Sequence, residues 1–423
     1  MKKRFLISFI TPLLLACAND VPIPSIELKD DGLNFLIASD IHYMDSSLLD
    51  DSARIENIDI AGDGQATYYS SVITDAFIEK VISIKPDALL LTGDNTFNGE
   101  KASHDSLIEK LKSIQKEEIP VYVLPGNHDV GIYRPVEYKN FQTSLVPSYK
   151  KDDYKRLYAR FGYSQAEYQD PNSFSYIKEI GKNVFGIMLD TNVSSTYYVK
   201  EETFPWLESS LKELKEKGAT IFSFSHQTLE VHSPTLTEGF RISNADDVLS
   251  LYKEYGVKAN FAGHMHIQHS INDEGFMEIL TSALSINPCQ YGLLSLNNNK
   301  WNYHTEKLDV TSFAKKKGYV DEHLADFSSF ISKLFDDSNS WNLARSIYFD
   351  ESLNENERDE FVNTVEILNK AFFEGMPLTF TEQLNNKVGN LIQYLNKQEN
   401  PNQYLLDVIE ELKLGINHTN IDL

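Results

Sequence analysis

Cysteine is almost missing from this chain: Cys17 and Cys289 are the two in 423 residues. That excludes a disulfide scaffold, and if Cys17 is used elsewhere no intrachain bridge exists at all. A chain of this length can bury enough apolar surface to fold without one. Cys289 is expected to pack as a small apolar side chain. Basic residues are also scarce. Lys and Arg number 39 against 62 Asp and Glu, for a formal charge of −23. Without a basic footprint, binding to nucleic acid polymers is not expected. A small anionic substrate stays open, because bound metal ions reverse the field locally. Internal repeats and low-complexity tracts are absent, which argues against a solenoid or a disordered tail.

What is present begins with "MKKRFLISFITPLLLAC". Lys2, Lys3 and Arg4 precede an apolar stretch, Phe5–Leu15, that is too short to span a bilayer and has the length of a signal-peptide core. Two endings are open. Leu14-Leu15-Ala16-Cys17 resembles a bacterial lipobox, with Cys17 acylated, whereas Ala16-Cys17-Ala18 has the form of an ordinary cleavage site. The lipobox reading divides the N-terminus into a lipoprotein signal peptide, 1–17, and a polar, proline-bearing tether, 18–32. It implies export and stable anchoring to the outer face of a bacterial membrane through the N-terminal lipid. Ordinary cleavage would leave a secreted protein.

From about Leu33 the pattern alternates. Short apolar runs at 33–39, 87–92, 121–124, 183–190, 220–225 and 258–263 read as strands covered on both faces. Helical spacing over Tyr68–Ile84, Ser103–Lys116 and Pro205–Lys217 lies between them. Later runs at 276–281, 291–296 and 301–306 read as consecutive antiparallel strands of a second sheet. The fold class is therefore α/β, a layered architecture over 33–308. After Leu308 amphipathic helical segments replace strands, and 309–423 is expected to be a C-terminal α-helical bundle.

The short runs end in residues that bind metals. Asp40-Ile41-His42 follows the first, Gly93-Asp94 the second and Gly126-Asn127-His128-Asp129 the third. Ser225-His226 and Gly263-His264-Met265-His266 follow two more. Ligands bind at the carboxyl ends of strands in open α/β sheets. Extended D-x-H and H-x-H segments would each turn two groups to one side. A single such ending is ordinarily a turn or cap residue; five in this order are not.

The joint pattern D-x-H, G-D, G-N-H-D, H, G-H-x-H resembles the calcineurin-like metallophosphoesterase family over residues 33–306. The resemblance implies two packed mixed sheets flanked by helices, holding two metal ions. Asp40, His42 and His266 would hold the first, Asn127, His226 and His264 the second, and Asp94 would bridge them. This mixed donor set suits Mn, Fe or Zn and does not choose among them. A water between the cations would become the attacking hydroxide. The same resemblance gives His128 to the phosphate as a proton donor, and Asp129 a supporting role behind the ligands. The other histidines, His104, His232, His269, His304, His323 and His418, are expected to be structural, with His232 a candidate to line the cleft.

Within the family some branches can be set aside. Purple acid phosphatases place a tyrosinate ligand three residues after the bridging Asp; Phe97 stands there in this chain. Secreted 5′-nucleotidases carry a long mixed second domain that is absent. "LLLTGDNTFNGEKASH" and the helical C-terminus resemble bacterial class III cyclic nucleotide phosphodiesterases and their exported relatives. Asn95 departs from the apolar residue common in the family after the G-D pair. Thr96, Asn98 and Glu100 either line the mouth of the site or form a helix-entry loop. The polar insertion at 44–67 is expected to form part of the substrate wall. The implied activity is hydrolysis of a small-molecule phosphodiester, with cyclic nucleotides leading. Phosphomonoesters, lipid-headgroup or glycerophosphodiesters, and a phosphate- or metal-binding lipoprotein without turnover are the alternatives.

Overall fold

A computed structural model describes residues 21–53, 64–193 and 196–423. The signal peptide, Cys17 and part of the 44–67 insertion lie outside the described residues.

The strands are β1 (Leu33–Ala38), β2 (Ala88–Leu91), β3 (Val121–Val123), β4 (Val136–Lys139), β5 (Gln142–Leu145), β6 (Tyr168–Gln169), β7 (Tyr176–Gly181), β8 (Val184–Met188), β9 (Thr220–Phe224), β10 (Ala259–Ala262), β11 (His269–Asp273), β12 (Phe276–Leu280), β13 (Gln290–Asn297), β14 (Lys300–Lys307) and β15 (Asn420–Asp422). Two sheets carry the fold, in the orders β15-β14-β13-β1-β2-β3 and β11-β12-β10-β9-β8-β7-β6, and β4-β5 is a separate hairpin. Strands β1, β2 and β3 run parallel, as do β8, β9, β10 and β12. Their near-continuous apolar character follows from this, since parallel strands need cover on both faces.

Helices α1 (Ser70–Ile84) and α2 (Lys101–Lys116) cover the first sheet. After the single-turn α3 (Tyr154–Leu157), α4 (Phe204–Glu216) and α5 (Ala245–Tyr255) cover the second. Between the sheets, Trp301 packs against Phe35 and Phe222 with ring centroids 6.3 and 4.8 Å away, and Phe261 meets Tyr303 at 5.7 Å. The result is the expected helix-sheet-sheet-helix layering.

One expected grouping is wrong. Residues 276–280 do not join 290–307 in one antiparallel set. β12 pairs parallel with β10 in the second sheet, while β13 and β14 extend the first sheet antiparallel to β1. The cause is the connection after β12, which crosses between the layers, and a run of apolar residues cannot report which sheet it joins.

The C-terminal region contains α6 (Val310–Lys317), α7 (Glu322–Ala325), α8 (Phe327–Phe335), α9 (Trp341–Tyr348), α10 (Glu355–Glu374), α11 (Glu382–Leu395) and α12 (Gln403–Leu414). A π-helical turn, Asp336–Ser340, joins α8 to α9. Asn354 and Glu357 form a reciprocal capping box at the start of α10. The region is not purely helical, contrary to expectation: β15 returns and pairs with β14. Nor is it independent. Phe335, Val365, Leu368 and Phe373 share one apolar cluster with Met265, Ile267, Leu280 and Ile286 of the α/β layers. Gly375 permits this approach, since a Cβ there would lie 2.4 Å from the Gln268 carbonyl oxygen.

Candidate metal centre

The chain brings the five strand ends to one place. Asp40 and His42 lie just past β1, Asp94 past β2, Asn127 and His128 past β3, His226 past β9, and His264 and His266 past β10. Five of them are not presented by extended backbone. Asp40, His42, Asp94, His264 and His266 all have positive φ, between 46° and 66°. The left-handed conformation is uncommon outside glycine and costs energy, so it persists where surrounding bonds enforce it. Here Asp40 N–H donates to Gly93 O at 3.1 Å and His42 N–H to Asp94 O at 2.9 Å. His264 N–H donates to Asp40 Oδ2 at 3.0 Å, and His128 N–H to Asp94 Oδ1 at 2.8 Å.

Two overlapping donor sets form. His266 Nε2 lies 3.4 Å from Asp40 Oδ1 and 3.2 Å from His42 Nε2. His226 Nε2 lies 3.0 Å from Asp94 Oδ2, and His264 joins that group. His42 Nε2 is 3.8 Å from both Asp40 Oδ1 and Asp94 Oδ2, which links the sets. The nitrogens can be assigned from their partners, because a carbonyl oxygen only accepts. His226 Nδ1 donates to Thr92 O at 2.9 Å, so the neutral ring carries its lone pair on Nε2. His264 Nε2 donates to Gly239 O at 2.8 Å and leaves Nδ1 as the donor atom for a metal. Such backbone anchors are the usual outer partners of metal-binding histidines.

The residues fit a pair of cations. Asp40 Oδ1 and His226 Nε2 are buried with no hydrogen-bond partner among the described residues. Facing lone pairs on His226 and Asp94 need a cation or a proton between them. Burial, the largest influence on Asp40 and Asp94, would raise both carboxyls. Nearby imidazoles outweigh it, His266 at Asp40 and His226 at Asp94, and hold both below the usual carboxylate range. Burial pushes His42 down to about 3 and His264 to about 4, which favours the neutral, metal-binding form. His226 differs. Burial would lower it, but the Asp94 and Asp40 charges raise it to about 9 when no metal competes.

Asn127 is buried and lines the same cavity. Its Oδ1 accepts from Gln227 Nε2 at 2.9 Å, and Gln227 also donates to Asn192 Oδ1 at 2.8 Å. One lone pair of the amide oxygen remains for a metal. His128 Nδ1 donates to Phe97 O at 2.6 Å and lies 2.8 Å from Asn98 Oδ1, so Nε2 is the nitrogen turned to the centre, 3.9 Å from Asp94 Oδ2. Tyr133 stacks on this ring at 4.0 Å. Asp129 lies behind, accepting from the Asn95, Thr96 and Gly126 backbone N–H groups at 2.8–3.0 Å.

Of the two readings for this segment, the helix-entry loop fits Thr96 and Glu100, which are buried away from the cavity just before α2, while Asn98 bonds to His128. Asn95 ties Leu124 O to Asp129 through its Nδ2. The described residues of the 44–67 insertion do not line the cavity, and Met44, Leu48 and Ala53 pack on Phe97 and Tyr138; the rest of the insertion, 54–63, lies outside the described residues. His232 is off the cleft, 3.1 Å from Glu278 and 2.9 Å from His269. His269 and His418 are structural, as expected: both lie 3.4 Å from Glu411 Oε1. Gln227, Asn192, Tyr133 and Tyr197 had no sequence signal, because single polar or aromatic residues after a strand fit any loop.

The centre forms one side of a cavity of ≈ 720 Å³. Asn339, Asn342, Leu343, Phe372, Phe373 and Tyr404 of the C-terminal helices form the other. The C-terminal helices thus contribute one wall of the cavity.

Residues 33–268 match the family model described as "Calcineurin-like phosphoesterase", and residues 309–413 match "C-terminal domain of cyclic nucleotide phosphodiesterase". The chain is 25% identical over 227 residues to a protein of Moraxella catarrhalis named "Probable cyclic nucleotide phosphodiesterase", covering 52% of this chain and 72% of that one. It is 23% identical over 231 residues to the Arcobacter nitrofigilis "Probable glycerophosphodiester phosphodiesterase GpdQ", covering 50% and 70%. Among solved structures, a dimetal phosphatase from Danio rerio aligns with a TM-score of 0.49 at 14% identity, over 66% of this chain and 97% of that one. The first family match spans more than half of the chain and contains every strand end that meets at the centre, so this protein belongs to the calcineurin-like phosphoesterase family.

Proposed function

We propose that the protein is a phosphodiesterase using two divalent cations, with cyclic nucleotides as the leading substrate class. The observation that carries this is the shared position of Asp94, which lies between the Asp40, His42 and His266 donors and the His226 and His264 donors. Asp40, His42 and His266 would hold one cation, Asn127, His226 and His264 the other, and Asp94 both. Bound there, the cations supply Lewis acidity that activates water and neutralises charge on the phosphoryl oxygens. His128 supplies the proton. Its Nδ1–H stays on Phe97 O, so in the protonated ring Nε2 can deliver a proton to the leaving alkoxide. Tyr133, stacked on it, keeps the ring plane in place. The C-terminal match and the cyclic nucleotide relatives support a diester, and the glycerophosphodiesterase relative keeps that substrate class as the second reading.

The test is a hydrolysis panel on Mn²⁺-loaded protein with a diester, a monoester, cyclic nucleotides and glycerophosphodiesters. Diester turnover well above monoester turnover is expected; the reverse ends the phosphodiesterase reading. Asp94→Ala should lose activity and both metals, read by elemental analysis. Full activity in that variant would refute a shared ligand.

We also propose export as a lipoprotein acylated on Cys17, tethered through 18–32. The basic start, the short apolar stretch and Leu14-Leu15-Ala16-Cys17 support this. A diacylated Cys17 at the mature N-terminus, and precursor accumulation under globomycin, are the expected results. An unmodified residue at the mature N-terminus rules the lipid anchor out.

A further inference from the structure

The chain ahead of β1 is held down where the structure describes it. Residues 21–32 run as a strap along the α/β layers. Arg160 Nη2 donates to Val21 O at 2.5 Å and to Pro22 O at 3.3 Å. The same guanidinium donates through Nε to Gln115 Oε1, in the last turn of α2, at 2.7 Å. Ile26 packs against the apolar core. In the β7–β8 turn, Lys182 N–H donates to Lys29 O at 2.8 Å, and Lys29 Nζ lies 2.5 Å from Asp87 Oδ1 just before β2. Asn298 N–H, in the β13–β14 turn, donates to Asp31 Oδ2 at 3.1 Å.

These attachment points share one side of the molecule. The last turn of α2 leads into β3, Asp87 into β2 and Lys182 into β8, and Asn298 sits beside the start of β1 because β13 runs antiparallel to it. They mark the amino ends of parallel strands. The metal-ligand residue types stand at the opposite, carboxyl ends. The two sides are separated by the length of β1, six residues, or about 20 Å at the rise of a strand. On the strap, Ile23 and Leu28 are exposed, at 44% and 45%. Three residues, 18–20, stand between Cys17 and Val21. Even fully extended, that length reaches about 14 Å.

Resting on the lipoprotein reading above, we propose that the strap is the membrane-facing surface: the bilayer that holds the Cys17 lipid lies against Ile23 and Leu28, and the metal centre points away from it. The lipid makes this contact intramolecular over a short leash, so two apolar side chains in the headgroup layer can orient the protein. The consequence falls on the substrate. A headgroup phosphodiester of that bilayer stays in the membrane plane, about 20 Å or more from the centre. The substrate is therefore a diester that diffuses in water, a cyclic nucleotide or a free glycerophosphodiester, and not a phospholipid of the surface on which the protein sits.

The test uses full-length, lipidated, Mn²⁺-loaded protein in vesicles of phosphatidylethanolamine and phosphatidylglycerol. Ile23→Cys on the strap and Ser346→Cys, one turn after the cavity-lining Asn342 on α9, each supply one accessible thiol for the solvent-sensitive dye NBD, since Cys289 is buried. On transfer from detergent-free buffer to vesicles, emission at residue 23 should shift to the blue and rise severalfold, and emission at residue 346 should stay the same. A response at 346 instead of 23, or at neither, overturns the orientation. The wild-type protein should leave the headgroups of its own vesicles intact; release of headgroup from them overturns it as well. Failure of the reading beneath is distinguishable by mass: an unmodified residue at the mature N-terminus removes the lipid anchor and the orientation together, whereas acylated Cys17 with no change at residue 23 removes the orientation alone.

Discussion

At the scale of single residues, Asp129 shows how the site is held without touching substrate. Five donors converge on its carboxylate: Asn95 N and Nδ2, Thr96 N and Oγ1, and Gly126 N. It thus joins the loop carrying Asp94 to the loop carrying Asn127 and His128. Asp129→Ala leaves buried backbone N–H groups unpaired and should cost about 3 kcal/mol or more, measured by urea denaturation. His128 is a different case, since its bonds serve chemistry. His128→Ala should lower kcat by roughly 10²–10⁴ while both metals stay bound. Loss of metal in that variant would contradict the division of roles. Glu100 gives a pH-dependent effect. Burial raises its carboxyl from 4.5 to about 7. The folded state therefore holds a proton that the unfolded chain has released between those values, and stability falls as pH rises from 4.5 to about 7. The loss is about 3 kcal/mol, and Glu100→Gln should abolish it in denaturation curves at pH 5 and pH 8.

At the scale of elements, the loops after the strands are tight because side chains of one occupy the backbone space of another. A Cβ on Gly126 would lie 2.1 Å from Asp94 Oδ1, so the turn after β3 and the carboxylate after β2 exclude any larger residue. Gly126→Ala should displace Asp94 and deplete bound metal, with far-UV circular dichroism unchanged. Metal content equal to wild type would show that the loop can yield. Gln227, one residue after His226, orients Asn127. Gln227→Ala should weaken metal binding about 10–100-fold, read by competition with a chelating dye.

At the scale of the molecule, a buried polar chain fastens the helical region to the second sheet. Glu278, His232, His269, Glu411 and His418 follow one another at 2.9–3.4 Å, and Ser270 N–H donates to His418 Nδ1 at 3.0 Å. Because Nδ1 of His418 accepts, its neutral ring carries the proton on Nε2, beside Glu411. Burial lowers His269 to about 4, and hydrogen bonding to His269 and His418 depresses Glu411. The signs agree. Undocking lets His269 take up a proton below about 6.5, and Glu411 loses its ionised form as pH falls below its ordinary 4.5. Docking should hold at neutral pH and weaken as pH falls from 6.5 toward 4. Amide exchange in α12 should accelerate over that range, relative to β1 and β2. Equal protection at both pH values would mean that the chain does not control docking.

The residue types of the metal centre were legible in the sequence because the chemistry allows few donors and each stands at a strand end. The layered α/β class was legible because parallel strands need apolar runs and crossover helices. Three things were not. The left-handed backbone at Asp40, His42, Asp94, His264 and His266 depends on bonds between loops far apart in the chain. The sheet membership of β12 depends on a crossover that hydrophobic runs do not encode. The placement of Asn339, Asn342 and Tyr404 across the cavity from the candidate metal centre depends on an apolar cluster shared by two regions. Local periodicity determines which elements form and which donors sit at their ends. Only long-range packing decides which surfaces meet, and here it sets the C-terminal helices across the cavity from the metal-ligand residue types.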